Sequence, residues 1–395
     1  MHTALQRTTL CAIIVLSTLG CVDPGPTGVP QATDADLHRG SAHGQGVPTS
    51  VIWNERAVTL LERNGVTSNT VGNRLFVYLS LAQYQAARKA ERVRHGAKRP
   101  SIPAATGAAS VAVLSSFFPA SADSLEAQLD QDLEGVGRRN WRREDVGAGE
   151  AIGRSVAAEV LGRAATDHTN AESAGEPPTG PGFWVSSGAP LAQGLYRARP
   201  FFIPPGSDLG TPPPPAFGSP EFVEDLAEVR QISDTRTPEQ TELAQFWNRQ
   251  PPPGIAQLNL IADELLRDRR RYDRERDAAE LLFRANAAVF DAQIACYESK
   301  FQHWFLRPVH ADPAITMVIG LSNHPSYPST HACITSAYLG VLAAAFPSDR
   351  RELATQVEEA GLSRLYGGIH YRFDITSGQK LGRRAAIYAL HGRIE

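Results

Sequence analysis

Residues 282–308 read LFRANAAVFDAQIACYESKFQHWFLRP. Apolar side chains recur at Leu282, Ala285, Val289, Ala292 and Cys296, in steps of three and four, the period of one face of an α-helix. The same steps run on to Lys300, His303 and Arg307, so two cations prolong the core-facing stripe. Burying an unpaired ammonium or guanidinium costs on the order of several kcal/mol. An anion is therefore expected against them, either a protein carboxylate or a bound ion. Pro308 is expected to end the helix just after Arg307.

The same pattern recurs downstream. Leu353, Val357 and Ala360 form the stripe of a helix predicted over 350–366, and Arg364 is its next position. Gly367-Gly368 stops that helix and lets the chain turn sharply. His370 follows, with Asp374 four residues on, where a carboxylate can hold one imidazole nitrogen protonated and leave the other free. Between the two stretches, Pro328-Ser329 opens another helix, whose first backbone N–H groups suit an oxyanion. Ser329 adds a hydroxyl, and His331 projects from the first turn, where a general acid can protonate a leaving oxygen.

Outward from these clusters the chain reads as helical almost throughout. Helices are predicted near 50–64, 69–93, 103–117, 121–135 and 146–166, then 220–230, 238–248, 255–266, 272–305, 329–346, 350–366 and 372–392. Strand signals are nearly absent and no repeat of fixed period stands out, so the class is all-α. An irregular stretch at 173–220 carries Pro212–Pro215 and the aromatic pair Phe183-Trp184; a loop that long usually has a task such as covering a cleft, or else is disordered, and the aromatics favour its packing down.

The 395 residues allow one large core or two medium ones, and a net charge of −3 argues against a nucleic-acid partner. The basic run Arg267–Arg271 is interleaved with acids and reads as a solvated helix face. At the start, Arg7, the apolar run Leu10–Leu19 and Gly20-Cys21 resemble a lipoprotein leader, with Cys21 as the acylated mature terminus and the cell envelope (periplasm or outer membrane) as the destination. Residues 22–48 are rich in Pro, Gly, Asp and Ser and read as a flexible tether. The expected organisation is a leader at 1–21, the tether, a helical half at 49–220 and a second half at 221–395 bearing the charged clusters. Cys296 and Cys333 lie in strongly helical stretches and are expected to be buried thiols, although export would permit a disulfide.

Lys300-x6-Arg307-Pro308, then Pro328-Ser329-x-His331, then Ser363-Arg364-x3-Gly368-x-His370-x3-Asp374 resembles the three-part signature of the superfamily that joins type 2 phosphatidic-acid phosphatases, bacterial acid phosphatases and vanadium-dependent haloperoxidases. The resemblance implies a helical-bundle fold of haloperoxidase and acid-phosphatase type. It also implies that Lys300, Arg307 and Arg364 hold the oxygens of vanadate or phosphate, with Ser329 and the backbone of Thr330 adding hydrogen bonds. His331 would be the acid/base, His370 the nucleophile or the ligand to vanadium, and Asp374 its orienting carboxylate. Thr330 stands where the family usually has Gly, and its side chain is expected to crowd the oxyanion contact.

The sequence Ile369-His370-Tyr371-Arg372-Phe373-Asp374 is similar to the haloperoxidase form, and His324 falls where such enzymes carry a residue that influences halide handling. The resemblance favours an exported haloperoxidase that takes hydrogen peroxide and halide. An acid phosphatase acting on phosphomonoesters through a phosphohistidine is the alternative, and a phosphate-binding lipoprotein without turnover a third. The signature leaves the oligomeric state open.

Overall fold

The computed structural model describes residues 46–394 except 94–97, 141–143, 172–175, 205–206, 208, 210, 269–271 and 273. The leader, nearly all of the tether and most of the Arg267–Arg271 run lie outside the described residues. In chain order the helices are α1 Thr49–Arg63, α2 Asn69–Arg92, α3 Ile102–Phe117, α4 Ala122–Asn140, α5 Val146–Ala165, α6 Pro220–Thr235, α7 Pro238–Phe246, α8 Gly254–Asp268, α9 Glu275–His303, α10 Pro308–Ala311, α11 Thr330–Ala345, α12 Arg350–Tyr366 and α13 Arg372–His391. Two-residue strands, β1 Arg99–Pro100 and β2 Glu144–Asp145, pair in parallel, so the protein is all-α. Among the described residues no helix is long and apolar enough to cross a membrane.

Local chemistry accounts for the helix starts. Ser68 accepts a hydrogen bond from Val71 N–H at the start of α2, and Thr237 with Gln240 forms a reciprocal capping box at α7. Pro220 and Pro238 occupy first helical positions, where a missing N–H costs nothing. The stripe Leu75, Leu79, Ala82, Ala86 of α2 is fully buried, as its spacing requires.

Helix α9 is the central strut. From Ala278 to Lys300 it is buried on nearly every side, packed against α2, α11 and α13. Midway along it, the buried Asp291 carboxylate accepts hydrogen bonds from the backbone N–H groups of Phe201, Phe202 and Ile203, at 2.8, 2.7 and 3.0 Å. That contact ties the irregular 173–220 stretch to the core. Trp184 is buried there, while Phe183 is 39% exposed.

The end of α9 differs from the sequence expectation. The helix stops at His303, and Trp304 takes a left-handed conformation with φ 49°. Residues 304–306 pair with the aromatic loop instead of continuing the helix. Trp184 N–H donates to Trp304 O (2.6 Å), Leu306 N–H donates to Gly182 O (3.1 Å), and Phe183 bridges Phe305. Arg307 therefore enters the interior as the extended cap of α10, and Pro308 opens that helix rather than ending the long one. The expected helical step from Lys300 to Arg307 is corrected accordingly.

Helices α11 and α13 pack so closely that two glycines are needed between them. A Cβ at Gly378 would lie 2.6 Å from Ser329 O, and one at Gly382 would lie 2.2 Å from Cys333 O. This approach sets the start of α13 beside the start of α11. Cys296 and Cys333 are buried free thiols.

Candidate functional site

The three expected cations, the two histidines and Asp374 meet where α9, α11, α12 and α13 converge. Lys300, in the last turn of α9, has no exposed surface. Its ammonium donates to the carbonyls of Pro325, Ser326 and Pro328, at 2.9, 2.9 and 2.5 Å. An ammonium has three protons, so each is matched by a carbonyl of the turn that leads into α11. Arg307 donates to Ile369 O (2.8 Å) and His324 O (3.1 Å), and its Nη1 lies 2.9 Å from His370 Nε2. Arg364, in the last turn of α12, donates to Asn248 Oδ1 and Ala244 O, at 3.0 and 3.1 Å.

Gly368 makes the turn from α12 into the His370 segment. Its φ is +77°, and a Cβ there would sit 2.9 Å from Thr316 O, so glycine serves both conformation and space. His370 Nδ1 is 2.8 Å from Asp374 Oδ2. The contact crosses a helix start rather than two turns of one helix, because α13 begins at Arg372 and His370 precedes it. A guanidinium only donates, so the Arg307 contact requires Nε2 to be the lone-pair nitrogen and Nδ1 to carry the proton. Burial holds this imidazole well below its ordinary pKa, and Arg307 and Lys300 push it further down. It is a neutral ring whose unprotonated Nε2 accepts from Arg307.

Asp374 Oδ2 also accepts from Ser326 Oγ (2.6 Å) and Tyr371 N–H (3.2 Å), whereas its buried Oδ1 has no partner. Burial pushes this carboxyl up to about 6, against the pull of Ser326, Lys300 and Arg307. Its backbone carbonyl accepts from Ser329 N–H (3.0 Å), joining the two helix starts. Ser329 caps α11, its hydroxyl accepting from Ala332 N–H. Thr330 Oγ1 lies 3.6 Å from the Cys296 thiol, so this side chain packs against α9. His331 is partly buried. Burial and the neighbouring Arg364 guanidinium hold its imidazole well below its usual pKa, while a hydrogen bond to the Trp247 backbone opposes them.

Charge is the dominant feature. Burial lowers Lys300 to about 8, Arg307 to about 10 and Arg364 to about 9, and repulsion from Arg307 adds to the lowering of Lys300 and Arg364. None of the three forms an ion pair among the described residues; the buried carboxylate beside them, Asp374, is bonded to His370 and Ser326 instead. A compact anion carrying several acceptor oxygens would remove that imbalance.

Ser326 and Asn248 are site residues that the sequence expectations omitted. Ser326 sits in a Pro-framed turn three residues before the Ser329 cap, a position whose only sequence signal is a small polar residue beside prolines. Asn248 comes from the end of α7, 116 residues from Arg364, and no local pattern marks it. His324 lies inside the site, 7% exposed, with Nδ1 3.1 Å from Arg307 Nη2 and its ring edge-on to Tyr297.

Fold and site together define an all-α protein with three buried cations gathered around an imidazole oriented by a carboxylate. Residues 284–393 match the PAP2 superfamily. A bacterial vanadium-dependent iodoperoxidase superposes with a TM-score of 0.73 at 22% identity, over 87% of this chain and 95% of that one. The apo form of a bacterial vanadium-dependent chloroperoxidase gives 0.62 at 13% identity, over 82% and 95% of the two chains. A holo-type chloroperoxidase gives 0.60 at 16%, over 83% and 95%. The chain thus carries a PAP2 superfamily region and has the fold of the bacterial vanadium haloperoxidases. No curated protein matches it in sequence.

Proposed function

We propose that this protein is an exported, vanadate-dependent haloperoxidase that oxidises halide with hydrogen peroxide. The observation that carries the reading is the neutral His370 ring, held at Nδ1 by the Asp374 carboxylate and with its unprotonated Nε2 turned to the Arg307 guanidinium. Vanadate fits the residues present because the uncompensated buried cations call for a small oxyanion, and an uncharged imidazole nitrogen is the form that ligates. Arg307, Arg364, Ser329 and the backbone at Thr330 would hold the oxygens, and His370 Nε2 would be the ligand to vanadium. Bound vanadate supplies a Lewis-acidic centre that activates hydrogen peroxide toward halide.

The chain's own groups do the rest. Asp374 keeps the Nδ1 proton in place, and Ser326 fixes Asp374. His331 moves a proton at the mouth of the helix start, and His324 beside Arg307 influences the halide. Lys300 adds positive potential while its protons secure the 325–328 turn.

The PAP2 match favours a second reading, an acid phosphatase in which His370 Nε2 attacks phosphorus and His331 protonates the leaving alcohol. Purified protein incubated with vanadate, hydrogen peroxide and bromide or iodide should halogenate an organic acceptor. Hydrolysis of p-nitrophenyl phosphate without vanadate, in the absence of halogenation, would establish the phosphatase instead. Neither activity, with measurable phosphate binding, would leave a binding lipoprotein. We further propose that Cys21 is the acylated N-terminus of an envelope-tethered mature protein; mass spectrometry of the native N-terminal peptide tests this.

A further inference from the structure

Lys300, Arg307, Arg364 and His370 are buried, whereas His331 and Asn248 beside them keep part of their surface open. His331 hydrogen-bonds to the Trp247 backbone, and Asn248 accepts from Arg364 at 3.0 Å. The outer edge of the anion site therefore faces the connection between α7 and α8. Against that connection lies the start of α2, where Asn69 Oδ1 accepts from Ile255 N–H at 3.2 Å.

Gly254 opens α8 at this edge. A Cβ built on it would point at two atoms, Asn69 Oδ1 at 3.5 Å and His331 Nε2 at 3.8 Å, both ordinary contact distances. Apart from its chain neighbours and its own helix, no other described atom lies within 4 Å of that position. The backbone is helical, so conformation does not call for glycine either. Gly368, Gly378 and Gly382 differ, because there a Cβ would lie 2.9, 2.6 and 2.2 Å from a backbone carbonyl. Gly72, on the α2 side of the same seam, is closed as well, with Pro253 Cγ at 2.8 Å and Ile255 Cγ2 at 2.9 Å from its added Cβ. The two helix starts thus touch at Gly72 and part at Gly254. Glycine weakens a helix relative to alanine, so a glycine that neither packing nor conformation requires is explained when the space itself is used.

We propose that Gly254 is a specificity-determining residue: it keeps the approach to His331 open and so admits oxyanions that carry an organic group, such as an aryl substituent, past the seam between α2 and α8. This rests on Arg307, Arg364 and His370 holding the oxyanion. A longer side chain at 254 would start toward His331 Nε2 and narrow that approach, while the groups that recognise charge stay as they are. It would select on size alone. A bare tetrahedral anion has no substituent to collide with it.

Two measurements on the full chain test this. Phenylphosphonate and inorganic phosphate are titrated calorimetrically, and diethyl pyrocarbonate acylation of each histidine is followed by peptide mass spectrometry. In Gly254→Leu, phenylphosphonate should bind about tenfold more weakly and phosphate equally well, the scale on which a pocket discriminates a methylene or two. Acylation of His331, whose imidazole burial keeps neutral, should slow, and that of the half-buried His303 should not. Gly254→Ala should behave as the native chain, since its Cβ meets nothing closer than 3.5 Å. Unchanged phenylphosphonate binding and unchanged His331 acylation in Gly254→Leu would overturn the proposal. Equal weakening of phosphate and phenylphosphonate would do the same, because a size filter spares the bare ion. Failure of the native chain to bind phosphate would instead overturn the anion-site reading, and the acylation comparison would still decide whether Gly254 guards His331.

Discussion

The helix trio α2, α3, α5 and the helix trio α9, α11, α13 are built alike, yet only the second holds charged groups inside. Ser101 precedes α3 as Ser329 precedes α11, and each donates its N–H to the backbone carbonyl of an aspartate at the start of a partner helix, Asp145 at 2.9 Å and Asp374 at 3.0 Å. Four residues after each aspartate is a glycine against the serine carbonyl, Gly149 with a Cβ distance of 2.4 Å and Gly378 with 2.6 Å. Four further on, Gly153 and Gly382 meet Ala105 O and Cys333 O, both at 2.2 Å. The backbone architecture therefore occurs twice.

The side chains that fill it differ. Ser101 is followed by Ile102-Pro103, and Ser329 by Thr330-His331. Helix α2 buries Ala86 and Ala90 in its later turns, whereas α9 buries Lys300. Asp145 caps its own helix by accepting from Ala148 N–H, while Asp374 takes the His370 ring. Close helix contact makes a scaffold, and a few charged replacements at its helix starts make a site.

The largest expected contrast lies in turnover. His370→Ala should abolish activity, whereas Asp145→Ala, at the matching aspartate, should leave steady-state rates within about twofold and lose only ~1 kcal/mol of stability from the cap. Asp374→Asn should fall between them, with a loss of roughly 10–100-fold, as expected when the group orienting a ligating histidine is changed. Equal damage from the two aspartates would erase the distinction between scaffold and site.

Next come the glycines. Gly153→Ala and Gly382→Ala should each destabilise by ~1–3 kcal/mol or more in chemical denaturation, because a methyl would overlap a carbonyl. Only Gly382→Ala should also depress activity, by shifting Asp374 against Ser329. Ser326→Ala should cost ~1–3 kcal/mol, since it removes a hydrogen bond to a buried carboxylate, and should lower kcat more than KM.

The smallest effect is in pH. The folded state holds His331 below its unfolded value of about 6.5, so below that pH the unfolded chain binds the extra proton first. Stability from a neutral His331 is therefore complete above about 6.5 and declines as pH falls through the window down to the folded pKa. The stability difference between the native protein and His331→Gln should be flat above pH 7 and shift against the native protein below about 6.5. A difference constant from pH 5 to 8 would remove the imidazole from the account.

Helical periodicity made the fold legible because these helices bury continuous faces and carry their own start signals, such as Ser68, Ser219 and Ser329. The inward cations were legible for the same reason, since Lys300 and Arg364 continue apolar stripes. Arg307 showed the limit of that reasoning: the pairing of residues 304–306 with 182–184 is a contact across more than a hundred residues, and no local period encodes it. The paired architecture was likewise hidden, because it rests on a serine, an aspartate and two glycines in each copy. Ser326 and Asn248 acquire their roles only once the chain brings them to Asp374 and Arg364.

Lys300 binds carbonyls that every amino acid presents alike. The clamp itself makes no demand on the side chains of this turn, although Ser326 is held separately by its bond to Asp374. The lysine has no such latitude, because a planar guanidinium cannot aim three protons at three carbonyls converging on one point. Sequence variation around this turn should therefore be asymmetric, with Lys300 fixed on α9 by the clamp and the segment opposite constrained by its path and by the Ser326 bond to Asp374.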